Sequence, residues 1–194
     1  MLGIVAGIYE FDWKEAESRF RVGMAQDVIP PDVRLWYSVF FLVPNGRAAD
    51  ALEQYRHLLR DDPLNIAYTG SLAEAFGASG QWTQSESAAR QMLELDPPGL
   101  WPRVLLAFAL TGQGRGDAVA AELGPFLEPP APSGPAGSVV IWSLIYMLRG
   151  DMERAADYME RSIRERHALA ARYLGWNCWS ANPRTAGLKR MINL

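Results

Sequence analysis

The chain has 194 residues, of which 49% are hydrophobic, 21% charged and 11% aromatic. That is enough for one sizeable core and excludes a wholly disordered, collagen-like or coiled-coil chain. A formal charge of -3 with a pI near 5.5 leaves no basic footprint for nucleic acid. Cys178 is the single cysteine and cannot close an internal disulfide, which fits a reducing, cytoplasmic setting.

From the N-terminus, Met1 to Ile8 is apolar but carries no cationic leader and no small-residue cleavage site, so it is a poor signal peptide. Ala16 and Phe20 then form the first of several pairs, a small residue followed four positions later by a large one on the same helix face. Leu35, Val39 and Leu42 make a helical stripe that stops at Asn45-Gly46, and Ala51 with Tyr55 repeats the pair. Asn65 to Ser79 carries Leu72, Ala73 and Phe76 on one face and ends at Gly80, where a residue free to take positive φ terminates a helix. Trp82 to Leu95 resumes the period with Ser85 and Ala89, and Val119 with Leu123 follows the crowded turn Gly112-Gln113-Gly114-Arg115-Gly116. That turn lacks the Lys-Ser/Thr of a phosphate loop and follows no strand, so it reads as a link between helices.

Pro129 to Pro135 holds four prolines, which stop a helix and predict an extended connector. No arginine flanks its P-x-x-P spacings, so a loop is the better reading than a ligand for an aromatic groove. The longest apolar run, Val139 to Leu148, is ten residues, where a bilayer needs about twenty. No membrane role is expected. Ala155 and Met159 supply the last pair. Ala168 to Trp179 reads as one more helix with Tyr173, Leu174 and Trp176 facing inward, and Arg184 to Ile192 as a short last one.

The glycines that close the first helices, Gly46, Gly80, Gly114 and Gly150, are spaced by 34, 34 and 36 residues, and Pro63 and Pro97, each after Asp, by 34. Two independent markers sharing one period, with the small-x3-large pair in the second helices at Ala16/Phe20, Ala51/Tyr55 and Ala155/Met159, resemble the tetratricopeptide repeat. The resemblance implies an all-α, right-handed superhelix of about five helix pairs, with units at about 1–29, 30–65, 66–99, 100–135 and 136–167, and capping helices over 168–194. The run from Tyr9 to Phe20 and the ending from Asn182 to Leu194 resemble the C-terminal repeat module of bacterial signalling proteins. There such modules follow a winged-helix regulator, an adenylate cyclase or a Ser/Thr kinase domain, none of which is present, and the chain starts inside its first helix as a fragment would.

Chemistry is sparse. Cys178, the two histidines His57 and His167, and Asn182 give a Cys-His-Asn set on paper, but nothing in their spacing brings base to nucleophile. His167 closes a helix at Arg164-Glu165-Arg166-His167, where a cation favours the dipole. No zinc set and no cofactor motif is present, and Glu15/Glu17 and Asp61/Asp62 do not share a helix face. Mixed charges such as Glu53, Arg56 and Arg60 read as a solvated outer face.

By the resemblance, first helices line the concave surface. The row expected there is Val33, Trp36, Tyr37 and Phe40, then Glu74 between Gly70 and Gly77, then Trp101, Val104 and Phe108, then Val140, Leu144 and Met147. It is aromatic and aliphatic, and lacks the lysines and asparagines that relatives use to clamp an acidic peptide. The expected function is a non-catalytic interaction scaffold of a bacterial regulatory system that binds an apolar peptide or helix. A homo-oligomerisation block and a Cys178-dependent enzyme are the alternatives, and the same row could instead pack between neighbouring helices. The glycine-rich turn and the proline connector predict the softest joint, so amide exchange and first proteolytic cleavage should be fastest between Gly112 and Ser138. Uniform protection across that stretch in exchange mass spectrometry would contradict this.

Overall fold

The computed structural model describes residues 2–124 and 137–194, without the side chains of 137, 138, 177 and 178. The proline connector expected after the fourth unit lies outside the described residues. Leu2–Val5 (α1) runs into a wider π-helical turn, Ala6–Glu10, and is followed by Trp13–Met24 (α2). Pro31–Tyr37 (α3) passes likewise into a π-helical stretch, Ser38–Leu42, before Ala48–Asp61 (α4). Then come Ile66–Ala78 (α5), Trp82–Leu95 (α6), Leu100–Gly112 (α7), Gly116–Leu123 (α8), Gly137–Leu148 (α9) and Met152–Arg164 (α10). A tail holds Ala170–Leu174 (α11), a 3₁₀ turn at Asn177–Ala181, and Thr185–Arg190 (α12). The helices pack in consecutive pairs, α1 on α2 through α9 on α10, while α5 also meets α7 and α7 meets α9. This is an all-α superhelix of stacked hairpins, and no strand occurs among the described residues.

The turns explain the period. Gly46, Gly80, Gly114 and Gly150 hold φ of +73°, +74°, +71° and +82°, a region that costs a residue with a β-carbon about 1–2 kcal/mol. Each closes its helix in the same way: the glycine amide donates three residues back and the next amide donates five back, as Gly80 N–H to Gly77 O (2.9 Å) and Gln81 N–H to Phe76 O (2.8 Å) do. A fifth turn of the same kind follows α10, with Arg166 N–H on Ile163 O and His167 N–H on Ser162 O. Its left-handed residue is Arg166, at φ +55°, so a search on glycine does not find it. At the helix starts, the side chains of Asp12, Asn65 and Asp151 accept amides of the first turn.

The paired positions of the second helices form the seams between helices. Ala16, Phe20, Ala51, Tyr55, Ser85, Ala89, Val119, Leu123, Ala155 and Met159 are all buried. Small residues let neighbouring backbones approach closely enough for a hydroxyl to bridge them. The Ser85 hydroxyl donates to Ala73 O on the preceding helix, and the Ser143 hydroxyl donates to Ala155 O on the following one, both at 2.8 Å.

The tail departs from expectation. Residues 168–179 do not form one helix: α11 ends at Leu174, and Trp176 is extended at φ -69°, ψ 138°. Gly175 lies against the backbone of the second hairpin, where an added β-carbon would stand 3.1 Å from Val43 O. Glycine at this bend lets the chain lie close to that backbone. Tyr173, Leu174 and Trp176 are nevertheless buried.

His167 is also not a dipole-stabilised cation. It lies past the left-handed turn, half-buried, with Nδ1 accepting the Leu169 amide at 3.2 Å. Burial pushes its pKa below the ordinary 6.5. The unfolded chain therefore takes up the proton first as pH falls, and stability is lost from about pH 6.5 down to the folded value. Melting temperature should drop as pH is lowered through that window, and His167→Gln should flatten the dependence in scanning calorimetry. An unchanged slope in the variant would refute the assignment.

Candidate functional site

The face made by α3, α5, α7 and α9 is where the first helices converge, and the tail is folded onto it. Arg172, on the one-turn helix α11, places its guanidinium against Glu74 on α5. Its Nε donates to both carboxylate oxygens at 2.8 Å, and Nη2 completes the ion pair while also donating to the Ser71 hydroxyl at 3.2 Å. The Trp176 indole N–H donates to the same carboxylate at 2.9 Å. Glu74 has 0% exposure and Arg172 8%. Burial alone would favour the neutral guanidine, but Glu74 and the phenols of Tyr173 and Tyr55 hold the arginine pKa above its ordinary value. The buried Tyr55 and Tyr173 phenols are pushed up, mainly by loss of water, and both stay neutral.

Aromatic contacts extend the arrangement. Trp176 stacks on Phe108 of α7 with ring centroids 3.9 Å apart and planes at 20°. Trp101 lies 5.3 Å from Tyr173 and 6.2 Å from Trp176. Gly77 makes room for this stack, since a β-carbon there would overlap the Phe108 ring.

The tail leaves part of the face open. A groove of about 590 Å³ remains, lined by Trp36, Val39 and Phe40 from the second hairpin, Ile66, Gly70 and Ser71 from α5, Met92 from α6, Trp101 from α7, Ile141 from α9, and Leu169, Arg172 and Tyr173 from the tail. Ile66, which is exposed, stands at its α5 end. A smaller hollow of about 260 Å³ adjoins it across Trp36 and is lined by Leu2, Arg19, Phe20, Val22 and Val33. The bordering arginines are already committed, Arg19 to Glu15 at 2.6 Å and Arg172 to Glu74.

Of the residues expected to face the groove, Trp36, Phe40 and Trp101 line it, and Val33 lines the adjoining hollow. Tyr37 is turned into the N-terminal core, stacked on Phe41 at 5.6 Å and 5.5 Å from Phe20. Val104, Phe108, Val140, Leu144 and Met147 are buried and present no surface, because neighbouring helices and the tail cover them. Glu74 is covered by Arg172. Helical period does not single out Ile66, Met92, Ile141 and the tail residues, which reach the groove from the first residue of α5, a second helix, the second turn of α9 and a segment beyond the repeats.

The described residues include no group of three or more His, Cys, Asp or Glu placed to hold a metal, and no helix long and apolar enough to cross a membrane. The Cys178 side chain lies outside the described ones.

No family model and no curated protein matches the chain. Solved structures do. TTC0263, a thermophilic TPR protein of Thermus thermophilus, superposes with a TM-score of 0.59 at 15% identity, covering 96% of each chain. MamA (MSR-1 C2) superposes with a TM-score of 0.51 at 18% identity, covering 84% of this chain and 91% of that one. The fold is that of a tetratricopeptide-repeat superhelix.

The Glu74–Arg172 pair yields a stability prediction. Arg172→Ala should lower unfolding free energy by about 3–5 kcal/mol, since it leaves a carboxylate buried without its cation. Arg172→Met combined with Glu74→Leu should recover most of that loss. Urea titrations of the three chains measure both, and a single variant within about 1 kcal/mol of the native chain would contradict the assignment.

Proposed function

We propose that the chain is a non-catalytic interaction module whose open groove receives an apolar segment of a protein partner. The observation that carries this reading is the groove itself: half-buried Trp36, Phe40 and Trp101, with Met92 and Ile141, surround about 590 Å³ of open space. Large aromatic anchors at the centre of a concave surface are where binding energy concentrates. Arg172, the arginine that lines the groove, is already paired with buried Glu74, which favours an uncharged ligand surface over an acidic peptide. The tetratricopeptide-repeat fold supports a scaffold role in place of catalysis. The likeness of residues 9–20 and 182–194 to bacterial signalling modules supports a place among cytoplasmic regulatory proteins.

A peptide-display selection tests the reading. The native chain should enrich sequences with bulky apolar residues at helical spacing, and binding should change little between low and high salt. Trp36→Ala should weaken the selected peptides by about 2 kcal/mol or more while leaving helicity intact, because Trp36 borders open space and not the sealed core. Enrichment of acidic peptides with steep salt dependence, or indifference to Trp36→Ala, would overturn the proposal.

A further inference from the structure

The part of the concave face beneath the tail has the make-up of a second recognition site. The hydrogen-bonding and stacking groups that receive it belong to α5 and α7: the Glu74 carboxylate, the Ser71 hydroxyl and the Phe108 ring. All the inserted groups come from the eight residues of Leu169–Trp176. Glu74 is fully buried and accepts from two different side chains of this segment, the Arg172 guanidinium and the Trp176 indole. The Phe108 ring stacks on that same indole at 3.9 Å. The backbone bonds of the segment stay local, as in Tyr173 N–H to Leu169 O and Trp176 N–H to Tyr173 O, and none reaches α5 or α7. Recognition is therefore carried by side chains, and it depends on an arginine in the helical turn and a tryptophan four residues on, where the chain has become extended.

The link that tethers this segment is the least relaxed part of the backbone nearby. Arg166 sits at φ +55° with a β-carbon, and three residues later, at Leu169, the chain enters the groove. Contacts between segment and pocket would be the same if the segment came from another molecule, because exchange of an identical element preserves every one of them.

We propose that the Glu74 pocket is a peptide-binding site in its own right, specific for a short helical turn that carries an arginine and opens into an extended tryptophan four residues on, filled in the closed chain by residues 169–176 and open to the same segment of a second copy of the chain. Charge complementarity decides for this occupant over the apolar ligand of the neighbouring groove: a buried carboxylate needs a cation and hydrogen-bond donors, and an apolar segment offers neither. The inference does not depend on the open groove, and its test substitutes none of that groove's aromatic anchors.

The probe is a labelled synthetic peptide of residues 168–194, titrated by fluorescence anisotropy against the full native chain and against full chains carrying Arg172→Lys or Trp176→Phe. Each substitution weakens the tethered segment through a different contact and keeps charge or ring in place, and circular dichroism confirms which variants are folded. Apparent affinity scales with the fraction of chains whose pocket is vacant, so the peptide should bind both variants at least about tenfold more tightly than the native chain. A peptide carrying Arg172→Ala should lose at least about tenfold on the same variants. Equal binding to all three chains, no binding to a folded variant, or an Arg172→Ala peptide as good as the unaltered one would overturn the proposal.

Discussion

One buried carboxylate organises this molecule. Glu74 lies on the third hairpin with no water to solvate it, and the chain supplies its countercharge from Arg172, 98 residues away in sequence. Without that arginine the acid would be an uncompensated charge in the core, so the tail has to lie along the concave face. Once there it brings Tyr173 and Trp176 onto Trp101 and Phe108, and closes the inner end of the groove that remains. The groove is thus built from both the repeats and the tail.

The same tail touches every hairpin. Ile192 O accepts the Trp13 indole N–H at 2.8 Å, and the Asn193 amide donates to Phe11 O at 3.2 Å. Gly175 abuts Val43, Arg172 and Trp176 hold Glu74, and Trp176 covers Phe108. Asn182 donates to Met152 O at 2.8 Å, and Arg184 reaches Asp157 and Glu160 on α10. Arg166 adds a bond to Tyr9 O and places its guanidinium 4.9 Å from the Phe11 ring centre. In an ordinary solenoid each repeat touches only its neighbours and stability accumulates locally. Here a single segment couples the first hairpin to the last, which favours cooperative unfolding over piecewise fraying.

What the sequence discloses follows from range. The helix pairs, the glycine turns and the small-large seams are encoded over three to five residues by helical period and by left-handed backbone, and all are visible without coordinates. The fifth turn hides because Arg166 occupies a position where glycine is the usual cue. The π-helical stretches at Ala6–Glu10 and Ser38–Leu42 have no residue pattern that announces them. The groove is only partly legible, because helical period tells which residues face inward but not which inward residues another segment then covers. Glu74 was the available clue: an acid between Gly70 and Gly77, in an otherwise apolar row, marks a place where something must approach closely and carry a charge. Identifying Arg172 as its partner required the path of the tail.

Repeat superhelices act as springs, since small rotations at each hairpin add up to large changes in pitch. The bond from Trp13 to Ile192 O and the contact of Arg166 with Tyr9 and Phe11 tie the two ends of the coil together. A spring whose ends are joined cannot lengthen without parting that joint, so thermal changes in pitch are damped and the width between Trp36 and Trp101 is held close to one value. For the apolar segment proposed above, a groove of fixed width would spend little binding energy on stilling the coil.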